Sequence, residues 1–181
     1  MNLNSAFSKL KPYEFVKSAK YLGVTIDNKL NFNEHINNAV NKCKLSIFAI
    51  KRAVGKKWGL QPKILLWLYK AIIIPKMTYG SLAWVIKLTK TQENKINAVQ
   101  RLMLTLITRC RENTPHAFLN LICHTIPLSE KVQETMIINA INLKIKQQWH
   151  TDTDKVGTYR TTIQKIDEML EKEIKTPNGR I

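Results

Sequence analysis

Near Thr151 the closely spaced carboxylates are Asp152 and Asp154, within the polar stretch Thr151 to Gly157. A metal-dependent polymerase or nuclease needs two or more carboxylates converging on a divalent cation. These two share one short loop and have no acidic partner on a neighbouring strand, so they are expected to be turn and cap residues. Cys110, His116, Cys123 and His124 are zinc-ligand types, but their gaps do not fit structural zinc sites. Cys123 follows Ile122 on an apolar helical pattern and reads as a small buried thiol. No Ser or Cys nucleophile stands in a recognisable motif, and no glycine loop is built to cradle phosphate. The sequence therefore assigns no catalytic residue, no metal ligand and no cofactor to this chain.

Its cations carry the stronger signal. The 181 residues hold 29 Lys+Arg against 13 Asp+Glu, a formal charge of +16. An excess of that size repels itself unless a polyanion relieves it. Glu34 is followed by no acid until Glu93, while Lys42, Lys44, Lys51, Arg52, Lys56, Lys57, Lys63, Lys70 and Lys76 fall between them. An ordinary helical surface mixes signs to gain i,i+4 pairs, and this one forgoes them. Trp58 sits in a loop beside Lys56 and Lys57. It suits stacking on unpaired bases or, equally, plugging a helix pair.

The elements that must position these groups are mostly helical. Apolar residues make up 44% of the chain, enough for a core. Residues 13–30 read as strand and turn, with Tyr21 to Ile26 interrupted by Gly23 and Asp27-Asn28 supplying turn chemistry. Asn33 is placed to cap a helix reaching about Val54. Its seam is Ile36, Val40, Cys43, Ile47, Ile50 and Val54, with Leu45 and Phe48 on another face. Pro62 opens the next helix. Pro75 is expected to kink or end it, and Trp67 and Tyr69 are read as core. Thr89-x-x-Gln92 is a capping box for a third helix. Thr114-Pro115 opens a short helix with Phe118, Leu119 and Ile122. Pro127 opens a long one to about Trp149, apolar along Leu128, Val132, Met136 and Ala140 and again along Ile137, Ile141 and Ile145. A last amphipathic helix spans about Thr161 to Ile174. Three cysteines without CxxC or a secretory leader suggest a reduced, intracellular setting, nuclear or cytoplasmic. Lys70, Pro75 and Lys76 interrupt the apolar run Ile64 to Ile86, so no membrane partner is expected.

Several short motifs, taken in order, resemble one family. Lys20-Tyr21-Leu22-Gly23-Val24-Thr25-Ile26-Asp27 comes first, then Leu30-Asn31-Phe32 and His35-Ile36. Leu68-Tyr69-Lys70, Ile74-Pro75, Tyr79-Gly80-Ser81 and Trp84 follow. Gln100-Arg101, Thr114-Pro115 with Leu119, and Ile126-Pro127-Leu128 complete the series. Over roughly residues 14 to 145 this is similar to the region just past the polymerase palm in non-LTR, jockey-type retrotransposon reverse transcriptases. The resemblance implies that Tyr21-Leu22-Gly23, beside Lys20, is a primer-grip-like turn. It implies that the helices beyond are thumb and connection, gripping template–primer through phosphates. The family's aromatic-x-Asp-Asp carboxylates lie before that turn and are not among the residues here. The resemblance thus implies a piece of an RNA-directed DNA polymerase that keeps nucleic-acid binding without catalysis. The divalent metal, magnesium by expectation, would belong to the parent enzyme.

The expected fold is mainly α, with a short N-terminal β segment before a multi-helix, thumb-like bundle. Residues 1–31 form the palm-end segment, 32–150 the thumb and connection, and 151–181 a polar loop and C-terminal helix. The expected partner is RNA–DNA or RNA duplex, bound without sequence preference. Lys51, Arg52, Lys56, Lys57 and Lys63 are the expected phosphate contacts, together with the turn at Lys20 to Gly23. The alternative is a helical interaction module docking on a palm domain or on a second copy.

Overall fold

A computed structural model of the chain describes residues 16–53 and 60–145, together with Glu168. Tyr13, Phe15, Val54, Lys56, Lys57, Trp58 and the proposed helix Thr161 to Ile174 as a unit lie outside that description.

The N-terminal segment is a two-stranded antiparallel hairpin, β1 (Ser18–Tyr21) and β2 (Val24–Asp27), with Tyr21 opposite Val24. Leu22 and Gly23 form the turn, with φ values of 45° and 85°. Two consecutive positive φ values define the mirror-image turn whose twist matches paired strands. Gly23 is thus a tight-turn residue. Asp27 ties off the next loop: its carboxylate oxygens accept from the Asn31 and Phe32 amides, the latter at 2.8 Å.

Helix α1 (Asn33–Ala53) buries Ile36, Val40, Cys43, Ile47 and Ile50, the expected seam. Asn33 is its first helical residue, and its side-chain oxygen accepts from the Gln92 amide at 2.6 Å. Helix α2 (Pro62–Leu68) begins at Pro62 as expected.

Pro75 does not end this helix. The chain widens into a π-helical turn (Tyr69–Ile73) and continues as α3 (Ile74–Thr78). Pro75 has no N–H to give, and its ring would strike the carbonyl one turn back. The wider turn just before it accommodates both problems. It also aligns the buried row Leu65, Tyr69, Ile73 and Met77. On a pure α-helix each four-residue step would drift by about 40°. Trp67 is a correction: it is 64% exposed, because it lies with Ile64 on the far side from that row.

The rest of the bundle is α4 (Ser81–Trp84), a 3-10 turn (Val85–Lys87), α5 (Lys90–Thr108), α6 (His116–Ile122) and α7 (Leu128–Ile145). The Thr89–Gln92 capping box is complete in both directions. Helix α6 starts one residue later than expected: Pro115 is its N-cap, and Thr114 makes no cap bond. Of its apolar residues Leu119 is buried, whereas Phe118 and Ile122 are about half exposed. Helix α7 buries the row Leu128, Val132, Met136 and Ala140. Ile137 and Ile141 pack at the core margin, and Ile145 is exposed. The core lies where α1, α5 and α7 meet the α2–α3 rod.

Candidate nucleic-acid interface

The family-like motifs meet one another inside the fold. The Tyr79 hydroxyl donates to the Leu22 carbonyl at 2.9 Å, so the turn at Leu22-Gly23 leans on the turn at Tyr79-Gly80. A Cβ on Gly23 would lie 3.2 Å from the Tyr79 ring. One on Gly80, where φ is +63°, would lie 2.8 Å from the Val24 side chain. The close approach at Gly23 is therefore made by Tyr79. Behind them Trp84, almost fully buried, donates its ring N–H to the Tyr79 carbonyl at 3.0 Å and stands 5.6 Å from the His35 ring. His35 in turn accepts from the Thr25 amide through Nδ1 at 3.3 Å. Burial lowers its pKa, and Lys42 adds to the shift.

A second knot joins Gln100 to the Ile126-Pro127-Leu128 corner. The Gln100 amide is fully buried; it donates to the Ile126 carbonyl at 2.7 Å and accepts from the Leu128 amide at 2.8 Å. It thereby satisfies one of the orphan N–H groups at the start of α7. Arg101 reaches the Glu112 carbonyl, which pins the loop after α5.

A concavity lies between α1 and α5. Its volume is about 830 Å³. Its floor is apolar, with Phe48, Leu65, Leu102 and Leu106, and its walls carry Lys44 and Lys51 from α1, Arg101 from α5 and Arg109 from the C-cap of α5. Glu112 is the one acid in the lining. Among the described residues the ion pairs are Lys90–Glu93 and Lys131–Glu134, so none of these four cations is neutralised by a carboxylate. Phe48 and Leu102, 48% and 43% exposed, form an open apolar strip between two cationic rims. Cys110 also lines this cleft, whereas Cys43 and Cys123 are buried. Burial pushes the Cys43 thiol up to about 11.

The residues expected from sequence divide between the two ends of α1. Lys20, Tyr21, Leu22 and Gly23 stand on the hairpin beside the start of the helix and are exposed. Lys51 and Arg52 stand at its other end, about 24 Å away along the axis from His35. Lys63 is exposed on the first turn of α2. Lys56 and Lys57 lie outside the described residues. Arg101 and Arg109 were missed as cleft residues. Arg101 and Thr105 share one face of α5 and Arg109 caps its end, but nothing in the sequence says that this face opposes Lys44 and Lys51.

No protein-family model and no solved structure matches the chain significantly. Its homologues among curated proteins are Pol polyproteins and RNA-directed DNA polymerases of non-LTR retrotransposons. A retrovirus-related Pol polyprotein from a type-1 retrotransposable element of Nasonia vitripennis is 30% identical over 99 residues, 54% of this chain and 29% of that protein. Probable RNA-directed DNA polymerases from the transposons BS and X-element of Drosophila melanogaster are 30% and 29% identical, over 60% and 58% of this chain. The chain spans under a third of the length of these relatives, and 12% of each Drosophila protein.

Proposed function

We propose that this chain is the helical region beyond the palm in a retrotransposon RNA-directed DNA polymerase, and that it grips an RNA–DNA or RNA duplex through phosphates. The observation that carries this reading is the α1–α5 cleft, whose facing walls present Lys44, Lys51, Arg101 and Arg109 without a carboxylate partner among the described residues. Phosphate contacts give affinity and register without reading bases, which suits an enzyme that must copy any template. Arg52 and Lys63 extend the basic surface past the cleft, and Lys56 and Lys57 continue it in sequence.

The reading assigns binding and not chemistry. Among the described residues no three His, Cys, Asp or Glu side chains come together to hold a metal ion. Those residues therefore offer no ligand set for the magnesium expected of a parent polymerase. Filter binding of an RNA–DNA hybrid at rising salt tests the proposal. Log affinity should fall linearly with log salt, by about 0.7–0.9 per phosphate neutralised, and equally for two unrelated sequences. A flat response rejects it.

A second reading, docking on a palm domain, is favoured by the hairpin. Val16, Tyr21 and Leu22 are 63%, 66% and 74% exposed, on or beside a sheet that has two strands among the described residues. Such a ribbon is marginal alone, and its free edge suits addition to a larger sheet. No helix among the described residues is long and apolar enough to cross a membrane.

A further inference from the structure

The C-terminal segment has the chemistry that the α1–α5 cleft lacks. Asp167, Glu168, Glu171 and Glu173 gather four of the chain's 13 acids within a few residues. Ile163, Ile166, Leu170 and Ile174 recur at helical spacing and form one stripe. On a helical wheel Asp167 and Glu171 flank that stripe on one side and Glu173 on the other, while Glu168 points away. Glu168, described alone in this segment, is helical and exposed. The cleft is the complement of this pattern: an open apolar floor at Phe48, Leu102 and Leu106 between rims bearing Lys44 and Lys51 on one side and Arg101 and Arg109 on the other.

The tether is long enough. Helix α7 is described as far as Ile145, and the stripe begins at Ile163. That stretch spans at most roughly 60 Å. Helix α7 itself is about 27 Å long and packs against α5, so its end lies within this reach of the cleft.

We propose that residues 163–174 dock as an amphipathic helix in the α1–α5 cleft of the same chain, apolar stripe down and acids against the basic rims. The docked segment is then an internal polyanion mimic. That consequence, competition with nucleic acid, rests on the function proposed above; the docking itself does not.

Cys110, which lines the cleft, gives a native reporter. In the full-length chain without nucleic acid, Leu170→Cys should be joined to Cys110 by a short bis-maleimide at least about tenfold faster than Lys172→Cys, which lies on the opposite face. Tethering at a docked site raises effective concentration by such factors. Adding Lys44→Glu and Lys51→Glu should slow the Leu170→Cys reaction, and adding Asp167→Lys and Glu171→Lys to that variant should restore it. Equal rates for the two cysteines would overturn the proposal. So would a product that forms only between chains and grows with protein concentration, which means that a second copy fills the cleft. Indifference to the charge swap overturns the proposed seating. Salt-dependent binding of an RNA–DNA hybrid, measured separately, reports on the nucleic-acid reading whatever the cross-link shows.

Discussion

The hydroxyl of Tyr79 holds the carbonyl of Leu22 across 57 residues of sequence, so the two glycine-containing turns, Leu22-Gly23 and Tyr79-Gly80, form one contact. Each side constrains the other. Gly80 needs both its left-handed conformation and its missing Cβ, because Val24 occupies the space. Gly80→Ala should therefore destabilise the chain by about 1–3 kcal/mol, the cost of holding a non-glycine residue there. Tyr79→Phe removes one partly solvated hydrogen bond and should cost less, about 0.5–1.5 kcal/mol. Urea midpoints with an unchanged slope measure both. Combining Gly80→Ala with Val24→Ala should recover the steric part of the loss and leave the backbone strain.

Gln100 is expected to matter more than its polar character suggests. Its amide bridges the Ile126 carbonyl and the Leu128 amide from a fully buried position. Gln100→Leu fills similar space but strands both backbone groups away from water. Each stranded group costs about 1–3 kcal/mol, so this variant should be among the least stable single substitutions in α5. Thermal unfolding followed by circular dichroism decides it. A loss no larger than that of Thr105→Ala, on the cleft face of the same helix, would show that the corner is held by packing alone.

Much of this architecture is legible in the sequence because local rules agree with the fold. The seam of α1, the proline at the start of α2 and the Thr89–Gln92 box all read directly. Trp67 and Tyr69 stand two residues apart, about 200° around an α-helix, so one face cannot bury both; the buried row takes Tyr69 and leaves Trp67 exposed. The cleft was half legible. The cations of α1 stand out as an acid-free run, but Arg101 and Arg109 lie some fifty residues later, and only tertiary packing sets them opposite Lys44 and Lys51. The motif glycines were legible as special backbone positions, yet the sequence could not say that each serves the other's neighbour.

Stability should fall on mild acidification. His35 accepts from the Thr25 amide through Nδ1, which the doubly protonated ring cannot do. Burial and Lys42 lower its pKa in the folded chain; burial and Arg101 do the same for His116. Below the unfolded-state value of about 6.5 the unfolded chain binds more protons than the folded one. The histidine contribution is therefore complete above that value. It is lost progressively as pH falls toward the lowered folded pKa values. Urea midpoints between about pH 8 and pH 5 should decline, and His35→Asn should flatten part of the slope. An unchanged slope in that variant would assign the effect to His116.

The cleft lysines provide the sharpest separation between a phosphate grip and incidental charge. Lys44 and Lys51 line the cleft one heptad apart on α1, and neither pairs with an acid among the described residues. If each meets one phosphate, Lys44→Ala with Lys51→Ala should lower affinity for duplex DNA or an RNA–DNA hybrid on any sequence. The same pair should reduce the magnitude of the log affinity–log salt slope by about 1.4–1.8. Arg101 is a poorer probe, since its side chain also holds the Glu112 carbonyl and its loss would disturb the loop. Lys131, already paired with Glu134 on α7, is the control: Lys131→Ala removes one positive charge, half that of the double variant, from another helix and should leave the slope unchanged. A pooled effect of net charge would shift the slope for both helices in proportion to the charge removed, and that outcome would remove the cleft from the interface. Lys20→Ala reports on the hairpin, at the other end of α1. A loss there comparable to that of Lys51→Ala would mean that the duplex runs the length of the helix.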